Sequence, residues 1–128
     1  MACLDTSLLI DVLSADADAK AVMDDLDEQR ERHGIAPVTA VELWIGASLG
    51  SAREYRQAEE LLDSLRWFDL DRSTARRAGE LQGQQLEAGS RLGFNDCLIA
   101  ATAIEHDQEL VTADADFEVV DGLRVRSY

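Results

Sequence analysis

The sequence predicts an α/β domain of three layers, a parallel sheet carrying helices on both faces. Short apolar runs alternate with longer segments of helical periodicity from one end of the chain to the other. Strands kept apart by helices pair in parallel and are covered on both sides. With 128 residues, the chain can bury one adequate core but not two, so one domain spanning residues 1–128 is expected.

The elements follow in order. Ala2 to Asp5 is a short apolar strand, and Thr6-Ser7 is placed to cap a helix through Leu8, Leu9, Val12 and Leu13. Asp16 to Arg32 sets Ala21, Val22 and Leu26 at helical spacing among charges, which is the pattern of a surface helix. Gly34 to Val38 reads as a buried strand with Pro37 near its end. Helices are expected from about Thr39 to Leu49 and from Ala52 to Leu65, parted by Gly50-Ser51, and a third strand at Trp67 to Leu70. Arg72 to Glu87 is polar and helical, and Ala88 to Gly93 is a loop. The helix Asp96 to His106 is apolar nearly all round and should be buried. Glu109 to Thr112 and Leu123 to Arg126 supply the last two strands.

Composition narrows the function. Hydrophobic residues make up 46% of the chain, in keeping with an ordinary soluble protein. No apolar run approaches the ~18 residues of a membrane span, and the N-terminus lacks the basic flank of a signal peptide, so a cytoplasmic location is expected. Cys3 and Cys97 both sit in apolar stretches and read as buried free thiols. His33 and His106 lie far apart in polar, helix-like contexts, which excludes a zinc site of His and Cys. The net charge is −14, with 26 acidic residues against 12 basic ones, of which Lys20 is the only lysine. Such a surface suits a cytosol at molar salt, where self-repulsion is screened, or else it meets a basic partner protein; the halophilic reading is preferred.

In an α/β sheet of this kind, sites form outside the carboxyl ends of the strands. There the chain places acids: Asp5 after the first strand, Glu42 one turn into the helix after the second, Asp96 at the start of the buried helix, and Asp114 and Asp116 after Thr112. Each has a purely structural reading. Thr39 to Glu42 fits a capping box, Asp96 could cap its helix, and Asp114 and Asp116 could be turn residues. Those readings need four independent accidents, whereas a cation site needs one cause. Carboxylates crowded together raise one another's pKa unless a cation joins them. Oxygen-only donors select Mg²⁺ or Mn²⁺, the ions of phosphoryl chemistry. No Ser-His-Asp set or activated thiol offers a covalent alternative, so a metal-dependent nuclease is the chemical reading. Arg91, on the glycine-flanked loop leading to Asp96, is the candidate contact to a substrate RNA phosphate, the alternative being a solvated loop charge.

Four segments also match a family pattern. Leu4-Asp5-Thr6-Ser7-Leu8-Leu9-Ile10, Thr39-Ala40-Val41-Glu42-Leu43-Trp44-Ile45-Gly46-Ala47, Gly93-Phe94-Asn95-Asp96-Cys97-Leu98-Ile99-Ala100-Ala101-Thr102-Ala103 and Leu110-Val111-Thr112-Ala113-Asp114-Ala115-Asp116-Phe117 resemble the four motif regions of PIN-domain proteins, with VapC toxins the nearest group. The resemblance runs the length of the chain. It implies a five-stranded parallel sheet of order 3-2-1-4-5, with Asp5, Glu42 and Asp96 as core acids of the metal site. Asp114 matches the fourth acid by position, and Asp116 is close enough to share or replace it. Thr6 or Ser7, and Thr112, match hydroxyls that orient carboxylates or water. The resemblance further implies Mg²⁺- or Mn²⁺-dependent endoribonuclease activity on RNA, homodimerisation and neutralisation by a small VapB antitoxin. A receiver-type phosphoacceptor domain is disfavoured because its lysine follows the last strands and Lys20 comes far too early. A haloacid-dehalogenase phosphatase is disfavoured because Ser7 stands where its second aspartate belongs. The remaining alternatives are a PIN nuclease of RNA processing without an antitoxin, and an inactive PIN-like binding module.

Overall fold

The computed structural model describes residues 2–29 and 33–128. Its centre is β1 (Ala2–Leu4), every residue of which is buried. On one side lie β2 (His33–Ile35) and then β3 (Arg66–Trp67); on the other lie β4 (Glu109–Thr112) and then β5 (Val125–Ser127). The order is β3-β2-β1-β4-β5 and every pairing is parallel, as expected.

Successive strand residues point to opposite faces, and each face has its own core. Ala2, Leu4, Ile35 and Val111 meet Leu8 and Leu9 of α1 (Thr6–Leu13), Leu26 of α2 (Ala17–Glu28), Leu43 of α3 (Pro37–Ser48) and Leu62 of α4 (Ala52–Asp63). Cys3 and Leu110 meet Leu81 of α5 (Arg72–Ala88) and Ile99, Ala100 and Ala103 of α6 (Phe94–Glu105). Phe117, in a 3₁₀ turn over Ala115–Val119 that the sequence pattern did not suggest, closes this second core. Gly34 is needed in β2 because a Cβ there would lie 2.5 Å from the Phe68 ring.

Several boundaries differ from expectation, each for a local reason. Pro37 does not end β2; it is the first residue of α3, where a missing N–H costs nothing. Thr39 is therefore inside the helix and caps nothing, and the capping box belongs instead to Ser51 and Glu54 at the head of α4. Asp5, not Thr6 or Ser7, occupies the N-cap position of α1, and its side chain makes no capping bond. Asp96 is likewise not a cap: α6 begins at Phe94 with Gly93 before it. Helix α2 ends at Glu28, and the expected extension to Arg32 falls on residues 30–32, outside the described set. His33 opens β2 and is not helical; its Nε2 pairs with Asp27 at 2.8 Å. The third strand is shorter and earlier than the Trp67–Leu70 run, and β5 is displaced toward the C-terminus. The loop after α5 is where the glycines put it, with Gly89 at φ 68° as a left-handed cap.

Candidate active site

Parallel strands bring the starts of α1, α3, α6 and the 3₁₀ turn to one edge of the sheet. Asp5 leaves β1 with its backbone N–H donating to the Val111 carbonyl at 3.0 Å. Because its carboxylate does not cap α1, it is free to turn along the sheet edge, where it is only 4% exposed. Two hydroxyls fix one of its oxygens: Ser7 Oγ and Thr112 Oγ1 each donate to Asp5 Oδ2 at 2.7 Å. These hydroxyls in turn receive backbone N–H groups, from Ala113 to Ser7 Oγ at 3.4 Å and from Asp114 to Thr112 Oγ1 at 2.9 Å. The segment that carries Asp114 is thus tied to the segment that carries Asp5.

Glu42 is held in a similar way from α1. Thr6 Oγ1 donates to Glu42 Oε1 at 2.8 Å, with the wholly buried Thr39 Oγ1 3.3 Å from the same hydroxyl. Thr6, Ser7 and Thr112 are therefore carboxylate-orienting hydroxyls by geometry. Asp114 Oδ1 accepts the Asp116 backbone N–H at 2.9 Å, so the turn role is real but occupies one oxygen only.

Asp96 stands in the first turn of α6. Its carboxyl is pushed up to about 6, first by burial and then by the charges of Asp5, Asp114 and Glu42, against a lowering contribution from the Gly93 backbone N–H. Four acids from four parts of the chain are thus close enough to feel one another. Asp116 is exposed and is not among the charges acting on Asp96. Arg91 is also exposed, on the loop before α6, and makes no ion pair or hydrogen bond among the described residues.

Both thiols are buried and free. Burial pushes Cys3 up to about 12, with the Asp5 charge adding to the effect, and burial likewise raises Cys97 beside Asp96, so neither is a nucleophile. Asp11 and Tyr128 went unnoticed in the sequence. The Tyr128 hydroxyl donates to Asp11 Oδ2 at 2.7 Å, and burial, the bond to Asp11 and the charge of Asp5 all keep the phenol protonated. No sequence signal could have joined residues so far apart.

All four clustered donors are carboxylates, which is the chemistry of a hard cation. Among the described residues, no three His, Cys, Asp or Glu side chains form a ready-made cage for a metal ion. Mg²⁺ and its like take one or two carboxylates and complete their shell with water and phosphate, so the donor set fits such an ion without a cage.

The fold and its acidic edge define a class: a parallel α/β domain whose strand ends present carboxylates to a cation. The PIN domain family profile matches residues 2–123. The VapC ribonuclease Mb1587 of Mycobacterium bovis and ribonuclease VapC11 of Mycobacterium tuberculosis are each 31% identical over 124 residues, covering 94% of this chain and 91% of theirs. A toxin–antitoxin complex from Klebsiella pneumoniae contains a chain of 26% identity and TM-score 0.78, with 99% of this chain and 97% of that one covered. VapBC2 from Rickettsia felis, bound to a DNA fragment from its promoter, has the same fold at TM-score 0.87 and 22% identity, over 98% of this chain and 97% of that one. This chain belongs to the PIN-domain family, in its VapC group.

Proposed function

We infer that this protein is an endoribonuclease that hydrolyses RNA phosphodiester bonds with Mg²⁺ or Mn²⁺, and is the toxin of a two-component toxin–antitoxin pair. The observation that carries the chemistry is the crowding at Asp96, whose carboxyl is raised first by burial and then by the charges of Asp5, Asp114 and Glu42. A cluster of this kind is strained until a cation joins it. When bound, such a cation supplies the positive charge that displacement at a phosphodiester needs and that these carboxylates lack.

The chain's own residues do the rest. Asp5, with Oδ2 pinned by Ser7 and Thr112, offers Oδ1 in one fixed direction. Asp96 and Asp114 complete the cation-facing set. Glu42, its Oε1 engaged by Thr6, holds its other oxygen toward the same space and orients water. A carboxylate oxygen receives the proton of the attacking water, because both histidines are engaged elsewhere, His33 with Asp27 and His106 with the Asp69 carbonyl. Asp116 stands beside Asp114, its backbone N–H donating to Asp114 Oδ1.

The toxin reading rests on the relatives and on the surface. An apolar groove of about 380 Å³ between α1, α3 and α4, lined by Ile10, Leu13, Leu43, Ala47 and Ala58, opens beside Glu42. Val41, Ile45 and Leu49 extend it as an exposed stripe along α3. A VapB-like antitoxin lying there would cover the acids. Homodimerisation and a cytoplasmic setting complete the proposal; among the described residues no helix is long and apolar enough to cross a membrane. The acidic, lysine-poor surface suits a saline cytosol.

The deciding experiment is cleavage of a mixed-sequence RNA with and without Mn²⁺, comparing wild type with Asp96→Asn. Cation-dependent cutting that the variant loses while keeping its fold is expected. Cutting that survives in the folded variant, or needs no cation, would remove the acids from the chemistry.

A further inference from the structure

A second cavity, of about 470 Å³, has Asp116 in its wall. It is walled by the last turns of α5, the loop that follows and the 3₁₀ turn, through Gln85, Ser90, Arg91, Asp116 and Val119. Its size is that of a small-molecule site. The loop is held in place: Ser90 N–H donates to the Gln85 carbonyl at 2.9 Å, Ser90 Oγ accepts from Leu92 N–H at 3.2 Å, and Leu92 is buried. Arg91, between two anchored residues, is left in solvent.

The unexplained group is Gln85. It lies on the inward face of α5 with Thr74, Ala78 and Leu81, only 9% exposed. Its amide makes no hydrogen bond among the described residues yet is not sealed from solvent, whereas one turn earlier Gln82 Oε1 is buried without a partner. A side chain that is mostly buried, lines a cavity and spends its amide on no partner in the protein is free to bond a ligand there. Gln85 also borders a smaller cavity of about 120 Å³ on its Arg77 side, which contains no part of the rim of the acid cluster.

We propose that the larger cavity is the subsite for the nucleotide next to the scissile phosphate, with Gln85 reading the edge of its base, Asp116 accepting from an exocyclic amino group and Arg91 meeting the backbone phosphate. An amide supplies one acceptor and paired donors in the pattern of a base edge. Unstacked bases of single-stranded RNA expose those edges. Asp116 excludes a phosphate from its own side of the cavity and repels the carbonyl oxygens of uracil, while favouring an amino-bearing base. Its N–H is bonded to Asp114 Oδ1, so the subsite begins two residues from the nearest of the acids in sequence. Phe94, 66% exposed and two residues before Asp96, offers a face on which a base can stack.

The proposal deepens the ribonuclease reading and is tested apart from it by binding without cleavage. Fluorescently labelled hexamers of A, C and U are titrated with the full-length protein in EDTA. A and C are expected to bind about tenfold more tightly than U. Gln85→Leu should bring the ratio toward one, and Asp116→Asn, at an exposed position that cannot threaten the fold, should lower it too. Arg91→Ala should weaken all three alike and reduce the salt slope by about 0.7. Equal binding of the three by wild type, or a preference kept by both folded Gln85→Leu and Asp116→Asn, overturns the subsite. If the preference is found but Mn²⁺ brings no cleavage, the nuclease reading falls and the cavity stands as a base-reading site alone; cleavage without preference keeps the nuclease and removes the subsite.

Discussion

Asp5 and Asp96 share one edge of the sheet, yet they are held in opposite ways. Asp5 is almost fully buried and has two hydroxyls on one oxygen, each hydroxyl locked by a backbone N–H of the 112–114 segment. Asp96 is half-open, and its carboxyl is raised first by burial and then by three neighbouring negative charges. One side of the site is prepared by hydrogen bonds; the other is left in want of positive charge. A site built this way fixes the direction of its donors in advance and reserves its electrostatic gain for the ligand.

The largest effect expected from this contrast is at Asp96. Asp96→Asn should lower Mn²⁺-dependent cleavage by on the order of a thousandfold. In EDTA the same variant should be the more stable protein at neutral pH. The carboxyl is raised from 3.8 to about 6, so the unfolded chain releases the proton first and the cation-free fold loses stability as pH rises from about 4 to about 6. Asparagine is spared that loss. Melting temperatures at pH 4.5 and pH 7 measure it, and a wild type whose stability relative to the variant does not fall between them would mean that Asp96 is not crowded.

Thr112→Val tests the prepared side. It deletes the donor to Asp5 Oδ2 and the acceptor for Asp114 N–H while keeping the shape of a residue that is 1% exposed. Activity should fall about 10- to 100-fold, with a stability loss of about 1–3 kcal/mol. A loss of stability with no loss of Mn²⁺ affinity in calorimetry would make the hydroxyl merely structural.

Smaller is the difference between the two acids of the last motif. Asp114→Ala should reduce cleavage more than Asp116→Ala, because the Asp114 charge is among those that raise Asp96 and Asp116 is the more exposed of the two. The reverse order would move the fourth acid to Asp116. The mildest effect concerns the whole surface: at fixed Mg²⁺, melting temperature should rise by a few degrees from low to molar KCl as the −14 charge is screened. A flat or falling curve would leave a basic antitoxin as the better account of the acidity.

Much of this arrangement was legible before any coordinates. The alternation of apolar runs with helical periods yielded five strands, and the glycines of the 88–93 segment marked its loop, since both signals are local. Local signals also misled. Pro37 was read with the strand before it, although proline fits the first turn of a helix as well as a strand end, and only the pairing of β2 with β1, through His33 and Gly34, separates the two. The capping box looked plausible at Thr39 and Glu42 because its spacing is short, yet Glu42 is claimed by Thr6, 36 residues away.

By itself, then, the sequence determined the order of elements, the apolar faces and the identity of the acids at the strand ends, because periodicity and residue type are properties of neighbours. The tertiary structure alone decided which oxygen of Asp5 is engaged, since Thr112 lies 107 residues away. It also decided that Asp96 would be raised and that Gln85 would share a cavity wall with Asp116. Hydrogen bonds act over about 3 Å and unscreened charges over several more, so these properties depend on distances in space that only the folded sheet sets.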